Sequence, residues 1–333
     1  MGLCEGEDVK PCKSLCLIPL FAIGAVGQPS LQGIVNAASN IQIRLPNAPI
    51  APGALFVIYG SGLGPDNMVQ SLTFPISTSL SGTSVRIDMN GTIVNAPVVY
   101  TSARQLAAIM PSNMPMGLGQ VTVTYNGATS SSIGVFVFTS NVGVYTVNQN
   151  GSGVGVITDA NYKLFSESAS ANPGQAIIIW GTGLGPVADD TVAPTAKDRT
   201  DVPLEVYVGE KLATLAYRGR SSCCAALDQI VAIVPAGVEG CATPVVLKIG
   251  NFVSNTTTLS VAVSGRVCQP NLSGIDFQKF LGQSSIALGR VTLNRTISLT
   301  DSTRSDTATA AFLGHDVGSD SVDLLFDHGQ TGT

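Results

Sequence analysis

Residues 51–65 read APGALFVIYGSGLGP, an apolar run that ends in three alternating glycines, Gly60, Gly62 and Gly64. The pattern returns at 172–186 as NPGQAIIIWGTGLGP, with Gly181, Gly183 and Gly185 at the matching places. A strand that runs into Gly-x-Gly is one way to build a phosphate-binding loop. A dinucleotide fold needs G-x-G-x-x-G opening a helix whose N-terminal amides hold the pyrophosphate. Here the spacing is G-x-G-x-G, Pro65 or Pro186 follows, and no helical period starts. Gly-Lys-Ser/Thr is absent as well, so a P-loop fails. The remaining reading is a pair of glycine corners, where a strand leaves its core through backbone with positive φ. Leu63 and Leu184 are then expected to plug the ends of two cores, and no cofactor is expected.

The repeat extends beyond this motif. Pro173 answers Pro52 at an offset of 121, and QIVAIVP at 229–235 answers QLAAIMP at 105–111 at an offset of 124. The second offset holds for VTVTYNGATSSSIGVFV (121–137) and VVLKIGNFVSNTTTLSV (245–261). Self-similarity at this period means tandem domains, because solenoid repeats are only 20–50 residues long. Within each unit the period is two. Val85, Ile87 and Met89 alternate with polar residues before Asn90-Gly91, and Asn126-Gly127 repeats the device. Asn-Gly between alternating runs predicts a hairpin, since both residues accept φ > 0. Gly209-Glu210 and Gly250-Asn251 occupy the corresponding turns of the second unit. Six or seven short strands per unit predict a two-sheet sandwich. The expected architecture is all-β: two immunoglobulin-like sandwiches over 28–140 and 141–268, joined by TSNVGVYTV (139–147) as a semi-rigid rod. Residues 269–333 are expected to form a helix and strand tail, partly disordered or truncated. In it Ser273 caps a short helix and SIALGRVTLNRTISL (285–299) supplies one or two strands.

Composition narrows the function. Charged residues are 12% of the 333, about half the usual share of roughly 25%. A net charge of −5 argues against nucleic acid, which needs clustered Lys and Arg to displace counterions. No apolar run reaches the roughly 18 residues of a spanning helix. At the N-terminus Lys10 and Lys13 precede LCLIPLFAIGAV (15–26), and Ala25-Val26-Gly27 offers small residues for cleavage. That is the length of a signal-peptide core, although Glu5, Glu7 and Asp8 are acidic where such a leader is basic. Residues 1–27 are therefore expected to direct export to the cell surface or beyond.

Export sets the fate of the cysteines. Cys4, Cys12 and Cys16 fall in the leader, and Cys223, Cys224, Cys241 and Cys268 remain. An even number in an oxidising compartment predicts disulfides. Adjacent cysteines are poorly placed to bond each other. The expectation is that Cys223 and Cys224 pair with Cys241 and Cys268, in one order or the other. A four-thiolate zinc site is the rival, but Cys-Cys is not the usual C-x₂₋₄-C knuckle.

These residues resemble the immunoglobulin-like IPT/TIG class. They are more closely similar to the paired repeats at the C-terminus of secreted acidobacterial (Solibacter-type) proteins of uncharacterised function. The resemblance rests on GIVNAAS (33–39), both PG…GLGP strands, QLAAIMP and QIVAIVP. It also rests on GRSSCCAALDQI (219–230), GVEGCATPVV (237–246) and SGRVCQP (264–270). It covers about 33–268 and implies fold and export; the family offers no established activity to carry over.

Catalytic chemistry is thinly represented. A Ser-His-Asp arrangement needs a histidine held by a scaffold, and only His315 and His328 exist, both in the tail. The acids Asp88, Glu167, Glu205 and Asp228 are isolated among apolar residues or at turns. Asp228 follows a cysteine-rich loop and is the place where a hydrolytic site would be sought. Its bland alternative is a carboxylate that bonds turn amides. Asp66-Asn67 and Asp189-Asp190 sit after the glycine corners but fall short of the six to eight oxygens calcium takes. Trp180, the only tryptophan, aligns with Tyr59; such aromatics either stack on sugar rings or shield a sandwich edge. The sequence thus reads as an exported, non-catalytic module that binds a protein or polysaccharide at the cell surface in a structural or adhesive role. A carbohydrate-binding accessory module and a hydrolase near Asp228 are the alternatives.

Overall fold

The computed structural model describes residues 27–43, 45–268, 285–297 and 304–316. The expected leader, the helix near Ser273 and the terminal stretch with His328 lie outside the described residues. The first unit contains β1 (Ser30–Asn36), β2 (Leu55–Ser61), β3 (Val69–Gln70), β4 (Ser79–Leu80), β5 (Thr83–Met89), β6 (Thr92–Ala96), β7 (Val98–Thr101), β8 (Gln105–Ile109), β9 (Gly117–Tyr125), β10 (Ala128–Thr129) and β11 (Ile133–Val137). The second contains β12 (Gly143–Val144), β13 (Gly153–Val154), β14 (Ile157–Thr158), β15 (Ala176–Thr182), β16 (Leu204–Val208), β17 (Lys211–Leu212), β18 (Thr214–Arg220), β19 (Asp228–Ile233), β20 (Gly240–Ile249), β21 (Phe252–Val253) and β22 (Thr257–Val261). A separate hairpin joins β23 (Ser285–Ile297) to β24 (Arg304–Asp316). No helix occurs among the described residues.

Each unit is two sheets face to face. In the first, β1-β2-β8-β7-β3 packs on β10-β9-β5-β4, with β11 beside β9 and β6 beside β5. In the second, β12-β15-β19-β18 packs on β13-β22-β20-β16-β17. Alternation builds the cores. On β5 Val85, Ile87 and Met89 are buried while Arg86 is exposed, and Val85 and Ile87 close one core with Phe56, Ile58 and Leu106. Ile177, Ile179, Val206, Ile230 and Leu247 close another that shares no residue with the first. Leu63 and Leu184 are buried, each in its own core, as the repeat implied. The hairpin turns take the backbone their residues favour, with φ of 54° and 89° at Asn90-Gly91 and 46° and 85° at Asn126-Gly127.

The corner glycines divide into two kinds. Gly62, Gly183 and Gly185 have positive φ (65°, 122° and 115°). Gly60, Gly64 and Gly181 do not, and what they need is room. A Cβ on them would overlap the Ser30 carbonyl, the Thr101 hydroxyl and the Gly143 carbonyl respectively.

The units are stacked head to tail. Gly181, Arg220 and Asp228 lie side by side in the register of β15, β18 and β19. This pole of the second unit meets the first. Thr182 accepts from Leu55 N at 2.9 Å and from Asn36 Nδ2 at 3.1 Å, and Val253 N donates to Asn47 Oδ1 at 3.0 Å. The link is pinned on both sides. Asn141 Nδ2 donates to the Asn47 and Pro49 carbonyls at 2.7 and 2.6 Å, and Asn141 N donates to the Gly183 carbonyl at 2.9 Å. Such a link leaves no room for tumbling. The contact also reaches past the end of the first unit onto its outer face, where Ala225 and Ala226 pack with Ile76 and Ile109.

The disulfide pairing differs from the expectation. Cys241 bonds Cys268, with Cα atoms 5.2 Å apart, and Cys223 bonds its neighbour Cys224. The reason is distance. Cys223 and Cys224 follow Arg220 at the junction pole, whereas Cys241 lies at the start of β20, whose other end turns back at the junction through β21. Ten residues of strand span about 33 Å, so the cross-pairings are out of reach.

Candidate functional site: a groove at the domain junction

The outer face of β2 is where the sequence breaks the sandwich rule. Phe56 and Ile58 point inward, but Leu55, Val57 and Tyr59 on the opposite face are also apolar and pack with Val35, Ala107 and Tyr100. An antiparallel sheet facing water is normally polar on that side. Part of this face is covered by the loop after β18, through Ala225 and Ala226. The rest floors an open groove of about 610 Å³, walled by Tyr145, Thr146, Val147, Gln149, Trp180, Cys223 and Leu227.

Duplication has put the same element on both banks. Tyr59 and Trp180 occupy matching strand positions, and each sits opposite a glutamine, Gln105 on β8 and Gln229 on β19. Both line the groove. Trp180 Nε1 donates to Thr158 Oγ1 at 3.0 Å, which satisfies its one polar atom and holds the indole. Its ring meets that of Tyr162 at 6.0 Å and 44°. Tyr162 is 66% exposed and sits at φ 63°, in a turn whose Asn161 and Lys163 amides both donate to Asp159 Oδ1 at 2.9 Å. Tyr59 Oη donates to Asn40 Oδ1 at 3.4 Å, and Tyr100 Oη accepts from Gln105 Nε2. Burial pushes the Tyr100 and Tyr145 phenols above their ordinary value, and Asp228 adds to the effect at Tyr145. Both phenols are therefore neutral. Among the described residues, no Asp, Glu, Lys, Arg or His side chain lines the groove.

The charged chemistry lies beside it and is fully engaged. Asp228 is 0% exposed and Arg220 is 5%. Arg220 Nη1 donates to Asp228 Oδ1, while Nη2 donates to the Gly185 carbonyl at 2.8 Å and to the Gly53 carbonyl of the first unit at 2.7 Å. Leu184 N donates to Asp228 Oδ2 at 2.8 Å. Burial pushes the Asp228 carboxyl up, opposed by Arg220 and by the Leu184 and Gly183 amides. The carboxylate thus orients a guanidinium that ties the two units together. Both of its oxygens accept hydrogen bonds, and its side chain has no solvent exposure.

The other candidates scatter. Asp190 accepts from Ser112 N and Oγ, both at 2.6 Å, as a second junction clamp. Asp189 caps Thr191 at the surface. Asp66 stays with Gly60, Gly62 and Gly64 at the far pole of the first unit. Asp88 accepts from Gly91 N in the β5–β6 turn, and Glu205 bonds Tyr207 and Lys248. His315 pairs across the separate hairpin with Ile286. No cluster of three metal-ligating residues exists among the described residues. Sequence reasoning missed Arg220, Tyr100, Tyr145 and Tyr162. The one available signal was Arg220 itself, a charge in a charge-poor strand next to Ser-Ser-Cys-Cys.

No family model and no curated protein matches this chain. Among solved structures it is similar to the full extracellular region of Plexin A4, at 12% identity and a TM-score of 0.25, covering 75% of this chain and 20% of that one. It is similar to SGBP-B of the Bacteroides ovatus mixed-linkage glucan utilization locus, solved with a mixed-linkage heptasaccharide, at 13% and 0.31, covering 89% and 68%. It is also similar to the titin Ig tandem A164–A165, at 8% and 0.19, covering 71% and 97%. At such identities and scores the fold assignment stands on the strand pairing and the two separate cores. On those grounds the chain is an all-β protein of two tandem immunoglobulin-like β-sandwiches.

Proposed function

We propose that this chain is an exported, non-catalytic binding module of the IPT/TIG kind, acting in a structural or adhesive role at the cell surface. The observation that carries the reading is where the polar chemistry goes. Arg220, Asp228 and Asp190 are used to lock the two sandwiches, and the open surface beside them is an uncharged aromatic groove. Ligand sites favour domain interfaces and are largely pre-formed. A junction held by hydrogen bonds from Arg220 to the Gly53 carbonyl and from Ser112 to Asp190 keeps such a site in shape. Export is supported by the two disulfides, which persist in oxidising compartments, and by the leader-like run at 15–26. The resemblance of its ordered motifs to secreted acidobacterial repeats points the same way. The partner is a surface protein or polysaccharide, not nucleic acid, given a net charge of −5.

The test has two parts. The chain is expressed with its own leader in a bacterial host, fractionated and weighed by mass spectrometry. The exported form should begin near Gln28 and contain no free thiol. Retention in the cytoplasm with reduced cysteines would sink the export reading. The purified exported chain should then bind isolated cell envelopes saturably; linear, non-saturable adsorption would remove the binding role.

A further inference from the structure

We infer that the junction groove is a binding site for a neutral glycan, with a sugar ring stacked on the Trp180–Tyr162 pair and its hydroxyls bonded to the Tyr and Gln side chains beneath. This rests on the binding-module reading and adds the chemistry of the ligand. Three features select it. First, among the described residues the lining holds four aromatic rings, Tyr59, Tyr100, Tyr145 and Trp180, and no charged side chain. Phosphorylated, acidic or basic ligands would lose their hydration there without gaining a counter-charge. Second, the polar groups present are phenols and amides, including Gln105 and Gln149. These groups both donate and accept, as sugar hydroxyls do. Third, β2 is paired on both sides, by β1 and β8, and β15 by β19 and by β12 and β14. The strands that carry Tyr59 and Trp180 thus have both edges paired and cannot themselves add a peptide by main-chain pairing, so recognition there falls to ring faces and side chains.

Backbone conformation gives an independent sign. Asparagines and Ser81 aside, the non-glycine residues with φ in the left-handed range are Gln149 (59°), Tyr162 (63°) and Ala226 (58°). Gln149 lines the groove, Tyr162 leans on Trp180, and Ala226 precedes the lining residue Leu227. Residues with a Cβ held in this region concentrate where a site is being shaped. A volume of about 610 Å³ is that of a small-ligand cleft, and the paired cysteines contribute a compact apolar wall through Cys223.

Trp180 is the only tryptophan, so intrinsic fluorescence reads the groove directly. The full exported chain would be titrated with cellohexaose, xylohexaose, mannohexaose and maltohexaose, with oligogalacturonate as the charged counterpart. At least one neutral sugar should give a saturable change in emission. By calorimetry Trp180→Ala should raise its Kd at least tenfold, Trp180→Phe clearly less, and Tyr162→Ala about threefold or more. Tyr162 is largely exposed, so that last variant should melt with the wild type and keeps the test valid if Trp180→Ala folds poorly. The inference is overturned if none of the four sugars gives saturable binding, if oligogalacturonate is preferred, or if both alanine variants bind unchanged. Envelope binding that survives Trp180→Ala and Tyr162→Ala would retire the groove as the site and leave the binding-module reading standing.

Discussion

Replacing Arg220 by Met tests the junction at its most committed point. The change keeps an unbranched apolar stem in place and removes the guanidinium. It breaks the ion pair with Asp228 and the bonds to the Gly53 and Gly185 carbonyls together. Asp228, with no exposure of its own, is left with backbone amides. Removing one partner of a buried pair costs about 3–5 kcal/mol, because the other charge stays behind uncompensated. A chain of this size loses about 2–4 °C per kcal/mol, so the melting temperature should fall by roughly 6–20 °C. Calorimetry and urea unfolding of the exported chain would read it. Arg220 spans both units, so the wild type should unfold in one transition and the variant should split or broaden it. Arg86→Met is the control. Its pair with Asp88 has side chains 46% and 32% exposed, and such pairs contribute about 0–1 kcal/mol. Adding Asp228→Asn to Arg220→Met should recover about 1–3 kcal/mol, since it removes the stranded charge but keeps an acceptor for Leu184 N. The reasoning fails if Arg220→Met lies within about 1 kcal/mol of wild type, or if Asp228→Asn is as harmful in the Arg220→Met background as in the wild type.

Three further outcomes are expected. Gly91→Ala faces open space at φ 89° and should cost only the left-handed backbone penalty of about 1–2 kcal/mol. Gly53→Ala, at φ 71° with a Cβ 2.5 Å from Arg220 Nη2, should cost more and lower junction cooperativity; equal losses in chemical denaturation would contradict the junction geometry. Non-reducing mass spectrometry after cleavage at Asp228 and Glu239 should show a Cys223–Cys224 fragment light by two hydrogens and a separate Cys241–Cys268 cross-link. Removing the latter, which closes 27 residues, should cost about 3.5 kcal/mol by loop entropy. A Cys223 or Cys224 link to either distant cysteine would refute the arrangement. Burial holds the Asp190 carboxyl above its ordinary 3.8. The folded chain therefore takes up that proton before the unfolded chain does, and Asp190 stabilises increasingly as pH falls from neutral toward 4. The melting temperature of the wild type minus that of Asp190→Asn should rise as pH falls over that range; a signed difference that falls on acidification would show the sign to be wrong.

Much of the fold was legible because it is written locally. Val85, Ile87 and Met89 alternate, Asn90-Gly91 and Asn126-Gly127 turn, and the repeat at offsets of 121 and 124 separates two cores before any coordinate is known. The correspondence of Tyr59 with Trp180 was also readable, since duplication placed them at matching strand positions. Half of the corner glycines serve by a mechanism other than the expected one. Positive φ and close approach select glycine equally well, and a sequence cannot say which neighbour is near. Arg104 occupies the place in the first unit that Asp228 holds in the second, opposite the matching glycine. The buried ion pair is therefore a property of one copy, and the repeat pattern gave no warning of it.

By itself the sequence determined period, turn chemistry and the inward residues of each sandwich, all of which depend on neighbours a few positions away. Tertiary structure decided what lies between the sandwiches. Head-to-tail stacking sends Gly60–Gly64 to the pole away from the junction and Gly181–Gly185 into it, although the two stretches read alike. It puts Cys223 and Cys241 at opposite ends of a strand-length of about 33 Å, and it turns an apolar outer face into half a covered interface and half an open groove. These outcomes depend on how two finished surfaces dock. No periodicity within either copy encodes that relation.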